Sequence, residues 1–259
     1  MIVVGCTFAG LAMTACSTKP RNGSEQPDAA ERSLPNLAAS DYLKQIFSRY
    51  QTAAAYGDEG IVRLGLERDG KTSVQIAPMH VHYYRTSLWI AAYDARLWTN
   101  GSETLGWIAD PTSEMHDGQV VVGGPVSTSE SGGRPELPRL LSDAILADRM
   151  TLGLGGPPPQ LEWLFDTDPM ARLFDGEASP ERIEYGSSST RENHRCWVVQ
   201  ATRDGDTYRF HIDQERSMIV AIDLPIALAE QSQSLNGWKI RSLELLLKDA
   251  SFATPAGPL

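Results

Sequence analysis

An α+β fold, a long antiparallel sheet with a few helices laid against it, is what the order of hydrophobic patterns in this chain predicts. An amphipathic helix comes first. Alternating runs punctuated by Asp-Gly and Asn-Gly pairs follow, and a helical stretch divides two such series.

The helix is read over residues 37–56, "LAASDYLKQIFSRYQTAAAY", where Leu43, Ile46, Phe47, Tyr50 and Ala54 fall on one stripe at helical spacing, with Asn36 or Ser40 as the cap. Such a stripe needs a sheet to cover it. "GIVRLGLERDGKTSVQIAP" supplies one, because Val62, Leu64 and Leu66 alternate with Arg63, Gly65 and Glu67, turn at Asp69-Gly70, and resume with Val74 and Ile76. "MHVHYY" and "SLWIAAYDARLWTNG" continue the sheet, and an Asn100-Gly101 turn leads into "ETLGWIAD".

"STSESGGR" reads as a loop. After it, "ELPRLLSDAILADRM" and "PPPQLEWLFDTDPMARLFDG" predict two short helices joined by a mobile connection, "GLGGPPP", so that a helical insert occupies about residues 135–176. "RIEYGSSS", then "HRCWVVQATRDGDTYRFHIDQERSMIVAIDLP" with turns at Asp204-Gly205 and near Asp213, and finally "KIRSLELLLKDASF" complete a second antiparallel series. In the last of these Leu243, Leu245 and Leu247 mark one apolar face. No internal repeat or second change of composition appears, so residues 37–259 are read as one domain.

The first fifteen residues, "MIVVGCTFAGLAMTA", carry no charge. They are too short for a membrane span of ~20 apolar residues and have the length of a signal-peptide core. Met13, Thr14, Ala15 and Cys16 resemble a bacterial lipobox, which implies cleavage before Cys16 and acylation of its thiol. The polar, Pro- and Ser-rich residues 16–36 are then a lipidated N-terminus and tether, and the membrane is a partner through that lipid. Ser17 after the cysteine suits the outer membrane better than the inner.

A formal net charge of −10 and the absence of a basic stripe exclude a nucleic-acid partner. With Cys6 removed and Cys16 acylated, Cys196 remains alone, without a disulfide partner or a CxxC pair. His80 and His82 share a strand face at a metal-ligand spacing, yet the only third ligand in view is His116 in "EMHD". Loop serines lack the strand-to-helix elbow of a hydrolase, and the glycine-rich "GLGGPPP" and "VVGGPV" lack the lysine of a phosphate cradle. Neither catalysis, metal nor cofactor is therefore expected.

Aromatic residues are the more informative feature. Tyr83, Trp89, Trp107, Trp197 and Phe210 fall on predicted strands, where they either line an apolar pocket or fill the core between sheet and helix.

The pattern resembles the LolA/LolB-like superfamily of bacterial envelope proteins, related to outer-membrane lipoprotein-sorting proteins. The resemblance rests on "YLKQIFSRYQTAAAY", "GIVRLGLERDG", "LWIAAYDARLWTNG" and above all "CWVVQATRDGDTYRFHIDQERSMIVAIDLP". It implies a strongly curved antiparallel sheet, an incomplete barrel, that wraps helices and holds an apolar cavity for acyl chains, with the five aromatic residues as its wall. It also implies a periplasm-facing protein of the cell envelope, non-catalytic, with a lipid or acylated ligand. The alternatives are an envelope structural or interaction module whose barrel is filled by its own side chains and whose surface meets a protein partner and, less favoured, a metal-dependent hydrolase built on His80, His82 and a third ligand.

Overall fold

The sheet is built outward from one hairpin. β1 (Ala55–Arg68) and β2 (Lys71–Tyr84) pair in register from Ala55↔Tyr84 to Arg68↔Lys71, leaving Asp69 and Gly70 as a two-residue turn with both φ angles positive (51° and 73°). That backbone matches the strands' right-handed twist, and Gly70 adopts it without strain. Val62, Leu64 and Leu66 are buried as predicted, whereas Val74 and Ile76 are exposed. The register explains the difference: Val74 faces Gly65 and Ile76 faces Arg63, on the outer side, while Gln75 and Ala77 oppose Leu64 and Val62 on the inner side.

In a computed structural model, the chain is described over residues 33–109, 118–128, 131–151, 157–173, 182–227 and 237–254. Residues 35–259 form one compact unit. β3 (Ser87–Ala92), β4 (Ala95–Thr99), β5 (Thr104–Ala109) and β6 (Gly118–Gly123) extend the sheet on one side of the hairpin. On the other lie β12 (Lys239–Ser251), β11 (Ile219–Asp223), β10 (Asp206–Asp213), β9 (His194–Arg203) and β7 (Arg182–Tyr185), with β8 (Ser189–Arg191) also on β9. The first and last strands meet at the centre, and all pairings are antiparallel. The segment "SLWIAAYDARLWT" is therefore two strands, folded back at Tyr93-Asp94, where Tyr93 takes a φ of +52°. Against β1, β12 carries an extra residue at two places, and bulges of this kind bend a strand. The sheet stays open and curls about the helices, the α+β architecture that the resemblance implies.

α1 (Ala39–Thr52) buries Leu43, Ile46, Phe47 and Tyr50, as its stripe requires. Neither Asn36 nor Ser40 caps it; Ala38 holds the N-cap position without a side-chain hydrogen bond, and its carbonyl accepts from the Tyr42 amide at 2.9 Å. Ala54 and Tyr56 lie beyond the helix, so the stripe ends at Tyr50. Among its described residues the insert holds four short helices where two are predicted: α2 (Leu137–Leu140), α3 (Ala144–Thr151), α4 (Pro159–Phe165) and α5 (Pro169–Leu173). Ser142-Asp143 and Asp166-Thr167-Asp168 break each predicted helix, because their side chains offer the backbone local bonds: Asp143 caps Leu146 N–H at 2.8 Å, and Asp168 caps Ala171 N–H at 3.0 Å. The connection at residues 152–156 and the tether before residue 33 lie outside the described residues.

Candidate functional site

The inner face of the sheet is occupied mainly by the protein's own side chains. Phe47 of α1 meets Phe210 of β10 edge to face at 5.9 Å and stacks on Trp163 of α4 at 6.0 Å, and Tyr50 packs against Trp163 and Tyr56 at 5.3 Å each. Of the five predicted wall residues, Tyr83, Trp197 and Phe210 are buried on this face. Tyr83 is covered by Phe165 at 5.0 Å and by the Arg134 guanidinium. Trp89 and Trp107 are on the other side. They alternate with Leu88 and Ile90, and with Gly106 and Ile108, which take the inner positions. Cys16 lies outside the described residues.

Arg134, which the sequence left in a loop, is the joint of this assembly. It donates to the carbonyls of Tyr50 (3.3 Å) and Ala53 (3.1 Å) at the end of α1 and of Leu164 (2.7 Å) at the end of α4. A cation satisfying the last carbonyls of two helices is favourably placed against both dipoles.

Beside the aromatic cluster sits a buried carboxyl. Asp58 faces inward from β1, accepts the Gly60 amide at 2.8 Å, and meets Gln160 Nε2 of α4 at 3.3 Å; the same amide donates to the Met79 carbonyl at 3.0 Å. Gly60 is required here, since a Cβ would stand 2.3 Å from that carbonyl oxygen. Burial pushes the Asp58 carboxyl up to about 7, more than its hydrogen bonds lower it. Gln160 Oε1 and Trp163 Nε1 are buried without a hydrogen-bond partner among the described residues.

Among the described residues two openings are lined in part by apolar side chains. A groove of about 160 Å³ near the hairpin is lined by Val62, Leu64, Ala77, Leu243 and Tyr93. A larger cleft of about 550 Å³ lies between α1 and α5, with Phe47, Met170 and Ile183 as its apolar lining and Lys44, Gln51 and Asp168 among its polar residues. Only the second has the size of an ordinary small-molecule site, some 300 to 1,000 Å³. Gln51 fixes its far wall by donating to the Asp166 carbonyl at 3.0 Å.

The outer face carries two polar clusters. Glu59 bridges His80 Nδ1 (2.6 Å) and His82 Nε2 (3.4 Å), so the histidine pair closes on a carboxylate. His116 lies outside the described residues, and among those described no group of three His, Cys, Asp or Glu side chains is placed to hold a metal ion. Farther along, His211 Nδ1 lies 2.8 Å from Ser189 Oγ, and its Nε2 is 3.2 Å from Asp223. These are the residue types of a hydrolytic triad, but Arg191 lies 3.5 Å from the same Nε2 and 3.4 Å from Asp223. The cluster ties β8 to β10 and β11.

An open, curved antiparallel sheet with helices on its inner face and, among the described residues, a cleft of mixed polar and apolar lining and no assembled catalytic group is the class of protein that this geometry defines. No family model matches the chain, and neither does any curated protein. Among solved structures the chain is similar to MucB in the Pseudomonas aeruginosa MucA/MucB complex, with 12% identity, 84% of this chain and 58% of that one covered, and a TM-score of 0.36. It is similar to MucB in complex with MucA(peri), with 14% identity, 84% and 57% covered, and a TM-score of 0.35. It is also similar to the LolA superfamily protein NE2245 from Nitrosomonas europaea, with 7% identity, 86% and 96% covered, and a TM-score of 0.28. The chain spans less than two thirds of the MucB chains it matches.

Proposed function

We propose that this is a non-catalytic cell-envelope protein, tethered to the outer membrane through an acylated Cys16, that takes the acyl chain of a lipid or acylated peptide into the cleft between α1 and α5. The observation that carries this reading is the cleft itself, since it alone among the described openings has room for a ligand and places an apolar lining of Phe47, Met170 and Ile183 beneath a polar rim. Burial of the chain at ~25 cal/mol per Å² supplies the affinity, and Lys44 at the rim suits an anionic head group. α5, a single short turn of helix on the insert, is the element that would move as a lid.

A second reading is favoured by the filled aromatic cluster: an interaction module that holds no ligand and presents its surface to an envelope partner. Native mass spectrometry of residues 17–259, exported to the periplasm without the lipid anchor, separates the two. The carrier reading expects an adduct of lipid mass that is lost when Ala171→Trp fills the cleft and retained in Trp107→Asp on the outer face. A bare polypeptide mass, unchanged by added lipid, leaves the interaction module.

A further inference from the structure

The two edges of the sheet are treated differently. β7 has only four residues, "RIEY", carries an Arg182 to Glu184 ion pair at 2.5 Å, and abuts α1, where Tyr185 meets Tyr42. Short length, charge and cover are the means by which proteins protect an edge from pairing. Among the described residues β6, "GQVVVG", lacks both charge and cover: no described strand pairs with its outer side, no charged residue occurs from Gly118 to Pro125, Val120 is 65% and Val122 76% exposed, and Val121 is half-buried.

From this contrast we propose that β6 is the interface of a symmetric dimer, pairing antiparallel with β6 of a second copy about a two-fold axis through Val121. Three observations choose a second copy as the occupant. The stretch is self-complementary, because an axis at Val121 sets Val120 opposite Val122 of the other copy and Gln119 opposite Gly123, and β-branched pairs of this kind favour antiparallel strands. It is also neutral in a chain of net charge −10, so it is where two such chains approach with least repulsion. Finally, pairing there completes an existing pattern: the outer-face ladder Trp89↔Trp98, Trp98↔Leu105, Leu105↔Val122 would run on through Val120 to Trp107 of the second copy. Isologous pairing closes the β6 edge of both copies at once, leaving only the short, charged β7 edges.

The test is sedimentation velocity of the full chain carrying Cys6→Ser and Cys16→Ser, alone and with Val120→Lys and Val122→Lys. The proposal expects a concentration-dependent species of twice the monomer mass that disappears in the double-lysine variant while the circular dichroism spectrum and Tm stay unchanged. Adding Val121→Cys to the same chain should give a covalent dimer on mild oxidation, with buried Cys196 unreacted. A monomer at every concentration overturns the proposal and leaves the edge to a strand of another protein. A dimer that persists with both lysines places the interface elsewhere and overturns it equally.

Discussion

From β2 to β6 both faces of one sheet carry large apolar side chains, and they do different work. On the inner face Tyr83, Leu88, Ile90 and Leu97 are buried under α1 and the insert, with Phe165 and Arg134 closing over Tyr83. On the outer face Trp89, which meets the rings of His82 at 5.4 Å and His80 at 6.1 Å, and Trp98 and Trp107 are half-buried, and Leu105, Val120 and Val122 are exposed. The inner aromatics hold the helices to the sheet. The outer ones stabilise strand pairs and leave an apolar surface, and a monomer seldom exposes such a surface without use.

The largest effect should come from the inner face. Phe210→Ala removes a fully buried ring that touches Phe47, and such truncations cost about 3 to 5 kcal/mol. Trp89→Ala, although it deletes a larger side chain, should cost roughly 1 kcal/mol, as expected of a cross-strand pair on an open face. Urea denaturation of both variants measures the difference; equal losses would mean that the outer tryptophans belong to the core.

Asp58 gives the next largest effect, and its sign follows from where it titrates. An unfolded aspartate ionises near 3.8, whereas the buried Asp58 carboxyl ionises near 7, so in that window the folded chain holds a proton that the unfolded chain has lost. This group's contribution therefore destabilises progressively as pH rises from about 4 to 7 and is constant above, amounting to about 4 kcal/mol at most. Asp58→Asn keeps an acceptor for the Gly60 amide and has no charge to bury, so it should be more stable than the wild type at pH 8 but not at pH 4. Thermal melts across that range decide it, and parallel pH curves for the two proteins would refute the assignment.

Arg134→Ala should follow, at about 2 to 3 kcal/mol, because the Ala53 and Leu164 carbonyls lose the Arg134 donor and the Tyr50 carbonyl is left with the Ala53 amide alone. Hydrogen exchange adds a readout specific to the joint: amides of α4 should lose protection before those of β9 and β10. Uniform loss across the sheet would show that Arg134 does not act as a joint between the helices and the sheet.

Much of the fold was legible because its signals are local. Asp69-Gly70 and Asp204-Gly205 dictate hairpins through backbone conformation alone, and both occur with positive φ as the residue types require. The stripe of α1 and the alternation of Leu243, Leu245 and Leu247 likewise needed no tertiary information. What stayed hidden depends on contacts distant in sequence. Tyr93 turns without an Asn-Gly or Asp-Gly signature, so β3 and β4 read as one strand. β6 escaped notice among glycines, although three consecutive valines are a strand signal. Arg134 looked like any loop arginine until two helix ends converged on it. The sides of Trp89 and Trp107 could not be read either, because period-two alternation separates faces but does not name the inner one when both are apolar.

The smallest effect tests that last point within one hairpin. Ile76 has the hydrophobicity of a core residue and a regular place in the alternation, yet it faces Arg63 on the outer side and is 62% exposed, while Leu64, on the adjoining strand, is buried on the inner side. Ile76→Thr keeps the β-branched shape and removes little buried surface, so its effect on stability should stay within about 0.5 kcal/mol. Leu64→Thr exchanges buried methyl groups for a hydroxyl and should cost at least about 2 kcal/mol. Denaturant midpoints for the pair suffice. A loss at Ile76 as large as that at Leu64 would mean that the outer side of this hairpin is covered in solution, and the division of the sheet into an inner core face and an outer free face would have to be redrawn from β2 onward.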